Sequence, residues 1–188
     1  MQIKAYVTLT LKDTITGEVL KRKRWSSESF VLAFLDILYI QCARLTHDVK
    51  DIGGNIRATV YNSANFNQIY AAGIGDRGIV VGTGNTAVAI DDFKMEAQIV
   101  NGEGAGQLYH QAGQKIAPST VGTRRHWYHS REFDNVSGGT ITAKECGIYG
   151  MGASYKFCFI RDLIEGGAGQ AVAHNQTMTI QYEYYVEV

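Results

Sequence analysis

The feature that most restricts this chain is a two-residue alternation at both of its ends. Near the start, Ile3, Ala5, Val7, Leu9 and Leu11 alternate with Lys4, Tyr6, Thr8, Thr10 and Lys12. At the end, Met178, Ile180, Tyr182, Tyr184, Val186 and Val188 alternate with Thr179, Gln181, Glu183, Tyr185 and Glu187. A helix scatters such a set around its axis, whereas a strand gathers it on one face. Two half-buried strands therefore bracket the sequence. The first turns at residues 13–17 and returns over residues 18–25, which makes a hairpin of residues 2–25.

Between the brackets, residues 78–99 read as the central strand and crossover of a β-rich domain. Ile79, Val80 and Val81 form a short apolar strand that enters a tight turn at Gly82, Thr83, Gly84 and Asn85. Asp91 and Asp92 then stand at an N-cap position ahead of one helical turn carrying Phe93 and Met95. One longer helix is expected at residues 28–45, with cap candidates Ser26, Ser27 and Ser29 and a stripe of Phe30, Phe34, Leu38, Cys42 and Leu45. Residues 46–55 read as a loop and residues 69–75 as a weak strand. Residues 122–133 form a long aromatic strand, with residues 140–149 returning antiparallel to it and residues 155–161 pairing back. Many short strands, one helix and no linker predict a mainly β, single-domain antiparallel β-sandwich, jelly-roll-like, spanning residues 1–188, its sandwich strands drawn from residues 56–188.

Composition narrows function. The 188 residues carry 18 basic and 18 acidic side chains, so the net charge is zero. A nucleic-acid binder normally shows a basic excess, so no nucleic-acid partner is expected. Low net charge instead favours self-association. Three cysteines, Cys42, Cys146 and Cys158, form no Cys-x-x-Cys motif; buried free thiols and synthesis in a reducing cytoplasm are the expectation. The opening residues start a strand rather than a signal peptide. The most apolar segment, residues 30–45, is too short for a membrane span, so no membrane partner is expected. The basic run Lys21, Arg22, Lys23 and Arg24 lies on the hairpin's return strand, where it guards an edge or meets an acidic neighbour.

Chemical motifs are sparse. The glycines at 82 and 84 lack the Gly-Lys-Ser/Thr of a phosphate loop. His126 and His129, three apart on a strand, point to opposite faces and share no metal. Asp91, Asp92 and Glu96 are the most compact acidic group, which capping explains without a cation. No catalytic residue, cofactor or metal site is assigned, and an enzyme is not expected. Arg131, Glu145 and Arg161 each interrupt a strand that is otherwise apolar on one side. An Arg–carboxylate ion pair across neighbouring strands would satisfy them.

Four segments resemble a known group when taken in order. They are the hairpin turning at Thr16-Gly17-Glu18 and running through Trp25 to Phe30, residues 78–93, residues 131–149, and Phe159-Ile160-Arg161-Asp162 with the strand ending Thr179 to Tyr184. Together they resemble small virion proteins of tailed bacteriophages: capsid decoration, head-fibre or tail-associated components. The resemblance implies a virion location and a structural role as a homo-oligomer on the capsid or tail, beside major capsid or tail proteins. Trp25, Trp127, Tyr128, Tyr184 and Tyr185 are the interface candidates. Exposed aromatics at Trp127 and Tyr128 also suit a receptor- or glycan-binding module, and a hydrolase using Asp91, Asp92 and Glu96 is a third class.

Overall fold

The structure is a computed structural model that describes residues 3–27, 29–63, 66, 68, 70–152 and 154–187. It is mainly β with antiparallel sheets. The two alternating ends find each other: β1 (Ile3–Asp13) pairs with β13 (Gln176–Glu187) from Ile3 opposite Val186 to Asp13 opposite Gln176. The alternation dictates this arrangement, because Ala5, Val7, Leu9 and Leu11 on one strand and Met178, Ile180, Tyr182 and Tyr184 on the other are buried in one cluster. Burying each large aliphatic side chain is worth about 1.5–3 kcal/mol. Val188 lies outside the described residues.

β2 (Val19–Ser27) flanks β1 as an edge strand. Its tight entry is set by Asp13, whose Oδ1 accepts the N–H groups of Ile15 and Thr16 at 2.9 and 2.7 Å. On the far side of β13 lies β8 (Arg124–Asn135), and β8's outer edge is shared by β6 (Tyr109–His110) and β7 (Gln114–Val121). The sheet therefore begins at β2 and ends at β6 and β7.

A second sheet has the order β11 (Lys156–Leu163), β10 (Glu145–Met151), β5 (Gly78–Gly82). Its strands are continuous apolar runs because both faces are covered. Ile79, Val81, Cys146 and Ile148 face the cluster shared with the first sheet, while Val80, Met95, Tyr149 and Cys158 face a smaller one. The expected central strand, β5, is thus at the end of its sheet. Its outer edge is closed by the returning chain, through a bridge of Gly82 with Gln98 and the bond from Ile99 N–H to the Val81 carbonyl at 2.9 Å.

Several expectations are corrected. The helix α1 is Leu32–Ala43, not 28–45. Ser26 and Ser27 belong to β2, Glu28 lies outside the described residues, and residues 29–31 run along β11. Val31 N–H bonds the Phe159 carbonyl, Arg161 N–H bonds that of Ser29, and Leu32 N–H bonds that of Ile90. Main-chain bonds to other elements thus replace a side-chain cap at the helix start. The buried face is Ala33, Ile37 and Ile40, while Leu32, Leu35, Tyr39, Cys42 and Leu45 are exposed. A helix apolar on nearly every side offers no periodicity from which to choose its face.

Residues 46–55 are no simple loop: β3 (His47–Lys50) pairs with β4 (Ile56–Thr59) around a turn held by Asp51. Residues 70–75 form no strand, and Ile69 lies outside the described residues. Residues 140–149 do not return along β8, whose edges are taken by β13 and by β6 and β7. Instead β9 (Ile141–Ala143) pairs with β12 (Gln170–Val172), and β10 enters the second sheet. Asp91 and Asp92 precede no helical turn.

Candidate functional site

The sequence places two charges, Arg161 on β11 and Glu145 on β10, inside apolar strands, and the fold brings them together. Arg161 Nε donates to Glu145 Oε2 at 2.8 Å, and both residues are buried. Arg161 Nη1 reaches Asp92 Oδ2 at 2.8 Å, and Nη2 reaches the Thr86 carbonyl at 3.1 Å and lies 3.6 Å from Glu96 Oε2. Burial alone would lower the Arg161 pKa, but Glu145 and Asp92 outweigh it and raise it. Glu145 also accepts main-chain N–H groups from Gly84, Ala97 and Glu96, at 3.3, 2.8 and 3.1 Å. Gly82 and Gly84 make room for this carboxylate: neither has a positive φ, and a Cβ on either would crowd Glu145. Asn85 follows them in the connector. The glycines are therefore there for close approach. Asp92 and Glu96 converge on a cation of the same chain, while Asp91 lines a different groove. Among the described residues no group of His, Cys, Asp or Glu is arranged to hold a metal.

Arg131 is not part of that pair. It lies on β8 in the other sheet and binds main-chain carbonyls: Nε to Gln111 at 2.8 Å, Nη1 to Ile79 at 3.0 Å, and Nη2 to Ile74. Its guanidinium lies 4.1 Å from the centre of the Tyr70 ring. The Tyr70 hydroxyl accepts the Ile79 N–H at 3.0 Å and meets His129 Nε2 at 2.9 Å, while His129 Nδ1 faces Gln68 Oε1 at 3.0 Å. The ring thus donates through Nδ1 and accepts from the hydroxyl, and stays neutral. Tyr70, Gln68 and the buried His110 carry no motif, so only the fold reveals this node. His126 points to the other face and meets Glu183 Oε1 at 2.8 Å.

A third buried group, Asp162, accepts from Ser27 Oγ at 2.8 Å and from the Tyr182 hydroxyl at 3.0 Å. Burial raises its pKa to about 6. Burial brings His110 and His129 down to about 3. The signs oppose each other. The unfolded chain takes up protons on its histidines below about pH 6.5, which the folded chain refuses, so each histidine removes about 2 kcal/mol between pH 7 and pH 5. Asp162 is protonated in the folded state as pH falls through 6, which returns about 1 kcal/mol. We expect urea midpoints to show a net loss of about 3 kcal/mol on going from pH 7 to pH 5. In Asp162→Asn the offset is absent, and the loss should grow by about 1 kcal/mol.

The aromatic candidates are more buried than expected. Tyr184 and Tyr185 are buried, and Trp127 stacks on Tyr184 with ring centres 4.4 Å apart. Trp25 is partly buried against the core, and Tyr128 is half-buried beside His126. Tyr185 stacks on Tyr6 and carries Arg124 over its ring at 3.6 Å. Glu183 then gathers Arg24 at 2.5 Å, Arg124 at 3.1 Å and His126 at 2.8 Å. Tyr6, Tyr128 and Tyr185 brace the outer face of the sheet, while Trp25, Trp127 and Tyr184 pack on its core side.

What remains open is surface. The two ends of the large sheet differ. β2 is basic, and Lys21 and Lys23 both meet Glu165, at 2.6 and 2.8 Å. β7 is exposed at all eight of its positions and carries one charge, Lys115. Comparison with family models, curated proteins and solved structures finds no match. A long edge strand with so little charge presents unpaired main-chain groups to any strand that fits.

Proposed function

We propose that this chain is a structural virion protein of a tailed bacteriophage, assembling as a homo-oligomer on the capsid or tail in a decoration, cement or fibre-attachment role. The virion assignment rests on the resemblance of the four ordered segments. The single-domain, jelly-roll-like sandwich that the strand pattern predicts is supported by one apolar cluster that draws on both large sheets and on α1. The partners are then further copies of the chain and the major capsid or tail proteins beside them, with no enzymatic step assigned.

The observation that carries self-association is β7. Proteins that stay monomeric guard long edges with charges, bulges or covering loops. β2 is guarded by its four consecutive cations. β7 has one cation, and Pro118 with the irregularity between Ile116 and Ser119 interrupts it; residues 114–116 and 119–121 are the runs left with an open edge, with Ile116 and Val121 exposed. A second copy is the occupant that a strand with one charge accepts with little like-charge repulsion. The expected result is a concentration-dependent oligomer by light scattering, and binding to phage particles. Ile116→Lys should weaken that association by at least about tenfold, with unchanged thermal unfolding. A wild-type chain that stays monomeric at high concentration and ignores particles would overturn the proposal.

A receptor- or glycan-binding role is second. It is favoured by a groove of about 350 Å³ lined by Pro118, Arg125, His126 and Trp127, which offers a ring with polar neighbours. Glycan-array binding that is lost in Trp127→Ala would move the assignment to this role.

A further inference from the structure

The molecule is neutral overall, but its exposed charge is not evenly mixed. Beside the N-terminal end of α1 lies a groove of about 230 Å³, walled by Leu32 and Ile56, floored by Ala33, and rimmed by Asp36, Asp48 and Asp91, with one cation, Lys50, held over the Phe93 ring at 3.9 Å. Leu32 and Ile56 are exposed, and Ile90 beside them is 65% exposed. Asp36 faces His47 at 3.4 Å, while Asp48 and Asp91 have no ion-pair partner among the described residues. The groove is therefore apolar within and acidic at its rim.

The opposite character sits on β2. Arg22 has no ion-pair partner among the described residues, and Val19 and Leu20 beside it are exposed, as is Ile15 in the preceding turn. Leu20 stands at a bulge, between Val19 opposite Lys12 and Lys21 opposite Leu11, next to Arg22 opposite Thr10; Lys21 and Lys23 lie on the other face, toward Glu165. β2 pairs only with β1 and contributes nothing to the lining of the groove.

We propose that the α1 groove of one copy receives the β2 edge of another, with Leu20 entering between Leu32 and Ile56 and Arg22 meeting Asp48 and Asp91. This rests on the self-assembly proposed above and names a second contact for it. A volume of about 230 Å³ holds one or two aliphatic side chains. The two surfaces differ, so the contact is head-to-tail, and repetition closes a ring or extends a filament. A second copy is favoured over an unrelated basic partner because both halves of the charge complement are present on a neutral chain.

A charge swap tests this. One variant carries Leu20→Glu and Arg22→Glu; the other carries Asp48→Lys and Asp91→Lys. None of these side chains is buried or holds an ion pair among the described residues, so both variants should unfold like the parent. Each alone should associate at least about tenfold more weakly than the parent, since like charges then face each other. An equimolar mixture should recover association, because the acidic edge of one variant fits the basic groove of the other. Raising salt should weaken the parent and the mixture alike. If the parent associates and neither variant is weakened, or the mixture does not recover, the groove contact is wrong while assembly through β7 stands. If the parent never leaves the monomer, the contact is wrong and so is the assembly it rests on.

Discussion

Glu145→Ala is expected to lower stability by about 3–5 kcal/mol, read as a shift in the urea midpoint. The reason is not the ion pair alone. Removing one partner from a buried pair leaves its charge under-compensated: Arg161 would keep Asp92, the more distant Glu96 and Thr86, but its Nε donor would lose its acceptor. The carboxylate also terminates the main-chain N–H groups of Gly84, Glu96 and Ala97. Each donor left without an acceptor in the interior costs about 1–3 kcal/mol. Glu145→Gln separates the two effects: its carbonyl still accepts a main-chain N–H while its charge is gone, so it should lose less than the alanine variant. Replacing Glu145 and Arg161 together by leucine would be near neutral for a simple ion pair. Here it should remain destabilising, because the connector at residues 84–97 loses its anchor in either case. A double variant as stable as the parent would show that the connector needs no such anchor.

That node also shows how far the residues alone reach. A charge inside an apolar strand must find a partner, so Arg131, Glu145 and Arg161 stand out in the sequence as groups needing satisfaction. Which partner each finds is set by tertiary placement. Asp92 meets Arg161 across 69 residues of chain, whereas Arg131 is satisfied by main-chain carbonyls from residues 74, 79 and 111. That β1 pairs with β13 is seen only in the fold, where a one-residue slip would expose every member of the buried set; that both are half-buried strands was legible, because only one face of each is apolar. The partner of β8 was not. The turn at Gly138 and Gly139 suggests a hairpin, but both edges of β8 are occupied by other strands, so the chain crosses to another sheet. The β3–β4 hairpin escaped notice because only Val49 and Thr59 on its strands are buried, which leaves no alternation to read. The burial of Tyr184 and Tyr185 was hidden for a related reason: they occupy adjacent positions of one strand, on opposite faces, and aromatic character does not say which face is open.

Gly78→Ala should be among the most damaging single methyl additions in the molecule, at about 4 kcal/mol or more. Gly78 has a φ of +72°, and an alanine there is strained by about 1–2 kcal/mol before any contact is counted. Lack of space costs more than this strain. A Cβ at this position would overlap the Tyr70 ring. That ring cannot simply move, because its hydroxyl holds the Ile79 N–H and His129, and its face carries the Arg131 guanidinium. Displacing it uncouples β5 from β8 and leaves Arg131 without the aromatic surface beneath its charge. The origin of the loss can be tested by a double-mutant cycle. In a Tyr70→Ala background, Gly78→Ala should cost only the backbone strain of about 1–2 kcal/mol, because the overlap has been removed. Equal costs in both backgrounds would assign the whole effect to φ and leave the tyrosine without a role in joining the two sheets. A cost that collapses in the Tyr70→Ala background would identify the glycine as the clearance that lets one aromatic ring tie the edge strand of the small sheet to β8 of the large one.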